Sequence, residues 1–280
     1  MKLGVIDVGG GMRGIYAAGV LDRCMAVGIQ FDLCIGISAG AGNLISYVCG
    51  QKGRNYKYYI EYCQRDEYAS VGNFFKHGCY IDLDYIYGTL SKAGGENPID
   101  YPKLMASPKE WIAVATDAQT GQARYFGKED LHQDDYAAVM ASCTIPIACK
   151  PRKVEGRTYF DGALADPVPV KLAFEKGCDK VVLILTKPET DVRTSKQDDK
   201  LVRLMKRKYP KAAQDLHLRA DTYNAGVALA KEYRKKGKVL ILSPKDTCGV
   251  DTLCKDVKSM KLLYGKGYVD AAAIRQFLNA

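Results

Sequence analysis

Short apolar runs alternate along the chain with longer amphipathic stretches, the pattern of a largely parallel sheet covered by helices on both faces. Leu3 to Val8, Leu33 to Ile37, Trp111 to Thr116, Val181 to Thr186 and Val239 to Leu242 predict strands. Most are nearly continuous apolar runs, as expected where both faces of a strand are buried. Gly14 to Val27 and Ala39 to Cys49 predict helices, and Pro167 to Lys176 opens with the proline that suits a first helical turn. The expected class is α/β, with a mostly parallel central sheet. From Gln51 to about Pro108 the pattern changes, with Tyr56, Tyr58, Tyr59, Tyr62, Tyr68, Phe74, Phe75, Tyr80, Tyr85 and Tyr87 close together. This region reads either as an insertion that caps a pocket or as an aromatic subcore holding an excursion onto the sheet. Asp191 to Lys200 and Lys235 to Lys238 are the best loop candidates.

With 280 residues, 47% hydrophobic and 26% charged, the chain can bury a large core, which excludes a mostly disordered protein. Its net charge of +9 falls between Lys200 and Lys238, where twelve Lys and Arg face only Asp215, Asp221 and Glu232. Such a stretch is a solvated helix face or a contact for anionic surfaces. Tyr209, Tyr223 and Tyr233 are too dispersed for a base-stacking platform, so no nucleic-acid partner is expected. Peripheral contact of region 200–238 with an anionic membrane fits better, through Lys206, Arg207, Lys208 and Lys211 beside Leu201, Leu204 and Met205.

Ten cysteines without a C-x-x-C pair, and a start that lacks the succession of a secretory signal, point to thiols of a reducing, cytoplasmic compartment. His77, His132 and His217 lack zinc-ligand spacing, so no metal and no cofactor are expected. Leu33 to Gln51 carries no charge over about a bilayer's thickness, but its glycines and Ser38, Asn43 and Ser46 fit a buried strand and helix better than a membrane span.

Three motifs carry chemistry. In the first, an apolar strand runs into Gly9, Gly10, Gly11, Met12, Arg13 and Gly14 and then a helix. Consecutive glycines expose backbone N–H groups that can approach an anion closely, and a helix start adds partial positive charge. The spacing Gly9-x-Gly11-x-x-Gly14 fits a dinucleotide phosphate loop as readily as an oxyanion hole. The second motif, Gly36-Ile37-Ser38-Ala39-Gly40, lies between a strand and a small-residue helix, the context of a nucleophile elbow. The sharp turn lifts the Ser38 hydroxyl clear of the backbone, and Gly36 and Gly40 let neighbouring elements pack beneath it. None of the histidines sits at a strand end, and each reads as a surface or packing residue. The better base is Asp161, where Tyr159-Phe160-Asp161-Gly162-Ala163 ends an aromatic strand in a carboxylate and a glycine. Partial burial would raise its proton affinity, and an oxyanion hole would lower the energy of the adduct formed as the proton moves.

In this order the three motifs resemble those of the patatin-like phospholipases, which combine G-G-G-x-R-G, G-x-S-x-G and D-G-[GA] on a three-layer α/β/α fold. Ala141-Ser142 and Pro146, ahead of a loop returning through Pro151, also look like that family. The resemblance covers roughly residues 1–190 of one 280-residue domain, leaving the basic C-terminal part, 191–280, less constrained. It implies Ser38 as nucleophile, Asp161 as base, amides around Gly10 and Gly11 as oxyanion donors, and Arg13 supporting that loop or an anionic headgroup. The implied substrate is a lipid or other acyl ester, cleaved through an acyl-enzyme. Asp166 looks like a family-typical structural position.

A non-catalytic protein of the same α/β scaffold that binds anionic lipid through the basic stretch is one alternative, and two further rivals share pieces of the motif pattern. An ordinary α/β-hydrolase uses the same elbow, but there the elbow normally follows several strands, whereas Ser38 follows only the second. A nucleotide-binding protein would place its ribose-binding carboxylate near the end of the second strand, whereas Asp32 opens it.

Overall fold

The computed structural model describes residues 1–195 and 198–279, without the side chain of His77. Lys196 and Gln197 of the predicted loop, and Ala280, lie outside the described residues. The strands are β1 (Leu3–Asp7), β2 (Leu33–Ile37), β3 (Glu110–Asp117), β4 (Ala123–Phe126), β5 (Arg152–Val154), β6 (Arg157–Asp161), β7 (Lys180–Ile184) and β8 (Val239–Leu242). They form one sheet whose hydrogen-bonded path runs β5-β6-β3-β2-β1-β7-β8, with β4 also paired to β3. The five runs predicted from apolar pattern are β1, β2, β3, β7 and β8, and these pair in parallel. β4, β5 and β6 add antiparallel pairings.

Helices cover both faces, giving three layers. They are α1 (Ile15–Ala26), α2 (Ala39–Val48), α3 (Arg54–Ile60), α4 (Val71–His77), α5 (Tyr101–Ala106), α6 (Ala137–Ser142), α7 (Val170–Glu175), α8 (Asp199–Lys206), α9 (Pro210–Lys235), α10 (Val257–Asp270) and α11 (Ala273–Asn279). Successive strand residues point to opposite faces, so continuous apolar runs supply two cores at once. Val5, Cys34, Ala113 and Val182 pack with α1, α2 and α10, whereas Ile6, Ile35, Val114 and Leu183 pack with Val170 of α7 and Tyr223 and Val227 of α9. Among the described residues, no helix is long and apolar enough to cross a membrane.

α7 starts three residues later than its sequence predicts. Pro169 disfavours the helical region for Val168, so the helix begins only at Val170, with Pro169 as its cap.

The aromatic excursion serves both readings made of it. Tyr59, Tyr62, Tyr68 and Tyr87 are buried in the core, while Tyr58, Tyr59, Tyr68 and Tyr87 also line a cavity that reaches Ser38. Arg54 straps the excursion down, donating to Ser46 Oγ (3.0 Å), Ser91 Oγ (2.9 Å), and the Asn97 and Pro98 carbonyls (2.7 and 3.2 Å).

The basic stretch forms α8 and α9. Its expected apolar companions divide: Leu204 is exposed, but Met205 is buried with Tyr209, Ala213 and Leu216. Met205 therefore packs the protein and is not available to a lipid surface, because its side chain faces α9 rather than solvent.

Candidate active site

The site arises where β3 changes partner along one edge. β4 occupies the far edge opposite Ala113 to Thr116, and β2 pairs with the near edge as far as Ile37 opposite Val114. The next residue, Ala115, faces Asp161 of β6. β2 and β6 therefore run toward each other and stop at adjacent positions, one strand rise of about 3.3 Å apart. Ser38 is the first residue past β2, and Asp161 is the last of β6. Both residues line one cavity, and the Ser38 hydroxyl favours the ionised form of Asp161.

Ser38 adopts φ 57° and ψ −131°, a strained turn held from several sides. Its N–H donates to Ser142 Oγ of α6 at 2.9 Å. A side chain on Gly40 would collide with the Asp7 carbonyl, and one on Gly36 with the Ala41 backbone, so only glycine fits at either side of the elbow.

The glycine loop leaves β1 beside this elbow, since Asp7 pairs with Gly36. Gly9, Gly10 and Gly11 have φ of 64°, 119° and 61°, a succession that L side chains resist. Their donors divide into two groups. The Gly9 N–H is held by Asp7 Oδ1 at 2.9 Å and the Met12 N–H by the Thr252 carbonyl at 3.1 Å. Gly10, Gly11 and Ala39 N–H have no acceptor among the described residues, and Ala39 opens α2 with its positive dipole end. Thus, of the predicted loop, Gly10 and Gly11 have free donors, Gly14 offers its carbonyl to Asn43, and the Arg13 guanidinium folds over Gly10 and donates to Thr252 Oγ1 at 3.0 Å.

Burial pushes the Asp161 carboxyl up to about 6 against three opposing influences: the Ala163 N–H at 2.9 Å, the Ser38 hydroxyl, and the guanidiniums of Arg219 and Arg193. Gly162 lies against the Val114 backbone, and the Asp161 N–H donates to the Thr144 carbonyl at 2.9 Å, which fixes the strand end. Asp166, in contrast, accepts from Tyr125 at 2.8 Å away from Ser38, which fits a structural role.

Two functional features escaped sequence reasoning. Asp7, fully buried beneath the glycine loop, is also pushed up to about 6 by burial, and Asn43 bridges it (2.9 Å) to the Gly14 carbonyl (3.0 Å). The signal was present as a carboxylate at the end of an otherwise apolar strand. The second is a group of cations, Lys187, Arg193 and Arg219, which line a polar cavity with Arg13, Ser38 and Asp161. Nothing in their sequence neighbourhood marks them as neighbours of residue 38. His132 and His217 are exposed and line neither cavity that reaches Ser38.

Comparison with known proteins gives a consistent picture. The family model described as patatin-like phospholipase matches residues 8–174, and one described as a domain of unknown function, DUF6363, matches residues 209–279. The Escherichia coli protein YjjU, described as uncharacterized, is 32% identical over 192 residues, 67% of this chain and 52% of that protein. This chain thus spans about half the length of that relative. An uncharacterized NTE family protein of Mycobacterium tuberculosis, Rv1063c, is 38% identical over 63 residues, 22% of this chain and 16% of its own. Among solved structures, VipD from Legionella pneumophila has the same fold, with a TM-score of 0.50 and 15% identity over 99% of this chain and 67% of VipD.

Two outcomes follow from the geometry. Ser142→Ala leaves the buried Ser38 N–H without its acceptor, so denaturant unfolding should register a loss of about 1–3 kcal/mol. Asp161 holds its proton to about pH 6 when folded against an ordinary 3.8. The folded chain therefore binds more protons than the unfolded one between those values, and this residue's contribution to stability falls as pH rises from about 4 to about 6. Asp161→Asn should unfold at a higher temperature than the parent chain at pH 7, with the difference shrinking toward pH 4.

Proposed function

The chain belongs to the patatin-like phospholipase family of lipid hydrolases, and on that premise we propose that it cleaves a carboxylic ester of a lipid, of the phospholipase or lysophospholipase type, through a Ser38 acyl-enzyme with Asp161 as base. The observation that carries this reading is the head-on meeting of β2 and β6 on one edge of β3, with the unengaged N–H groups of Gly10 and Gly11 beside it.

Asp161 takes the hydroxyl proton as Ser38 Oγ bonds to the ester carbonyl carbon. The carbonyl oxygen becomes an oxyanion, which the Gly10 and Gly11 N–H groups receive, reinforced by the start of α2. Collapse breaks the bond to the alcohol, which leaves with the proton from Asp161. Water then gives a proton to the same carboxylate and attacks the acyl carbon, and Ser38 recovers its proton as the fatty acid departs. A carboxylate pushed up to about 6 is a better base than an exposed one yet is ionised at neutral pH. The acyl chain would enter the cavity at Ser38 along Tyr58, Tyr68, Ile86, Tyr87 and Leu90. The reading takes residues 1–280 as one folded unit.

Ser38→Ala and Asp161→Asn should each lower turnover of a p-nitrophenyl ester by about a thousandfold or more. A fluorophosphonate should label Ser38 in the parent chain and lose that label in Asp161→Asn, as located by peptide mass spectrometry. Full activity in either variant would falsify the assignment. Because the base works only when ionised, kcat/KM should rise with pH and level off above an apparent value near 6, measured from pH 4.5 to 8.

A further inference from the structure

Ser38 stands between two cavities of opposite character. The first is mostly aromatic and aliphatic, and the arginine in its lining, Arg54, is engaged by Ser46, Ser91 and the Asn97 and Pro98 carbonyls. The second is lined by Gly10, Gly11 and Asp161 together with Arg13, Lys187, Arg193 and Arg219. An ester whose carbonyl sits at Ser38 and whose chain enters the apolar cavity directs its alcohol side toward these cations.

The cations lack the anions that such a cluster needs. Arg13 is only 9% exposed, yet its Nε has no hydrogen-bond partner among the described residues, and the same is true of the buried Nε of Arg193. Among the described residues, neither they nor Lys187 form a salt bridge, whereas Arg219 is held by Asp198 at 2.6 Å. The acidic groups that line the cavity are otherwise engaged or peripheral: Asp161 is the proposed base, Asp198 belongs to Arg219, and Asp191 and Asp251 are exposed. The cations lie close enough to act on one another. Burial and then Arg193 lower the proton affinity of Arg13, and burial, Arg13 and Arg193 lower that of Lys187, against a smaller opposing pull from the exposed Asp251 and Asp191. Buried charge is normally paired, and a cluster of like charge with open donors favours a multivalent anion.

The cluster is also built rather than incidental. The Arg193 backbone is clamped to Asn224 of α9 by two bonds of 3.0 Å, and its guanidinium lies 3.4 Å from the centre of the Tyr223 ring. Stacking fixes the plane of the group and leaves its edge available for phosphate oxygens.

We infer that the cluster of Arg13, Lys187 and Arg193 receives a phosphomonoester on the alcohol side of the substrate, so that the enzyme prefers acyl esters ending in a free phosphate over neutral esters and over zwitterionic phosphocholine esters. This rests on the hydrolase reading above. A phosphomonoester carries close to two negative charges at neutral pH and three acceptor oxygens, whereas a quaternary ammonium beside the phosphate would meet the same cations with repulsion. Lys187 and Arg193 lie between the stretch matched by the patatin-like family and the one matched by DUF6363, whereas Arg13 belongs to the glycine motif, so the preference joins the patatin-like core to the segment that follows it.

The test is calorimetric titration of the full chain with sn-glycerol 3-phosphate, phosphocholine, glycerol and inorganic phosphate, alongside kcat/KM for 1-oleoyl-glycerol 3-phosphate and 1-oleoyl-glycerol. The expected result is that sn-glycerol 3-phosphate binds at least about tenfold more tightly than phosphocholine. Arg193→Gln and Lys187→Gln should each weaken it about tenfold and reduce the preference for the phosphorylated ester, chiefly through KM. Among the described residues Lys187 forms no salt bridge, so Lys187→Gln keeps the test decisive if Arg193→Gln fails to fold. No binding of sn-glycerol 3-phosphate to the folded parent chain overturns the inference. Inorganic phosphate bound as tightly as sn-glycerol 3-phosphate, with both esters cleaved equally, also overturns it and indicates a site for free anion. Fluorophosphonate labelling separates the two readings. Label on Ser38 without sn-glycerol 3-phosphate binding defeats only this inference, whereas binding that responds to Arg193→Gln without label or turnover supports the anion site and defeats the hydrolase.

Discussion

Everything at this site depends on β3 having an edge long enough for two partners. β2 runs alongside it in parallel and must leave at Ser38, and β6 arrives from the opposite direction and must stop at Asp161. Neither residue could reach the other from within a continuous strand. The departure of β2 needs a turn that a β-strand cannot make without strain, which explains the positive φ at Ser38 and the glycines around it. The arrival of β6 needs a stop, supplied by the Asp161 N–H bond to Thr144 and the close approach of Gly162 to Val114. Ser142 and Thr144 belong to α6 and the residues just after it, so one short segment restrains the ends of both strands.

The same geometry gathers buried charge. Asp7 and Asp161 are both carboxylates that water would stabilise better, and both are pushed up to about 6 by burial. Each is retained through a few hydrogen bonds: Asn43 and Gly9 for the first, Ala163 for the second. Asp7 holds the Gly9 N–H inward, and the Gly10 and Gly11 donors remain unengaged. A buried carboxylate thus shapes a loop with two unengaged donors without facing it. Such arrangements reduce the stability of the fold in exchange for fixed dipoles, and α1, α2 and α10 compensate by packing tightly on the same face of the sheet.

What was legible in the sequence was what depends on local pattern. Runs such as Val181 to Thr186 read as buried strands because both faces are covered, and Gly36-x-Ser38-x-Gly40 reads as an elbow because only glycine permits such close approaches. β4 and β5 were not legible, since short edge strands with residues such as Arg124, Arg152 and Lys153 carry no apolar run. Pro167 misled by three residues because a second proline, Pro169, controls the helix start. Arg193 and Arg219 could be read only as charge, because their meeting with residue 13 is made by tertiary folding of segments about two hundred residues apart. The aromatic excursion allowed two readings because Tyr59, Tyr68 and Tyr87 each have a face in the core and a face on the cavity.

The interlocking of the two ends of the chain has a consequence for its ancestry. Family matching separates 8–174 from 209–279, yet β8 is paired to β7, Tyr16 of α1 bonds Asp270 of α10 at 2.7 Å, and Asp22 of α1 accepts from Tyr264 at 2.8 Å. A boundary drawn by likeness is therefore not a seam along which recombination could exchange parts. Any lineage that swapped the second segment would leave β7, between the two stretches, with an unpaired edge and α1 of the first stretch uncovered. Substitutions at Asp22 and Tyr264, or at Tyr16 and Asp270, should accordingly have arisen as correlated changes, with the two stretches descending together.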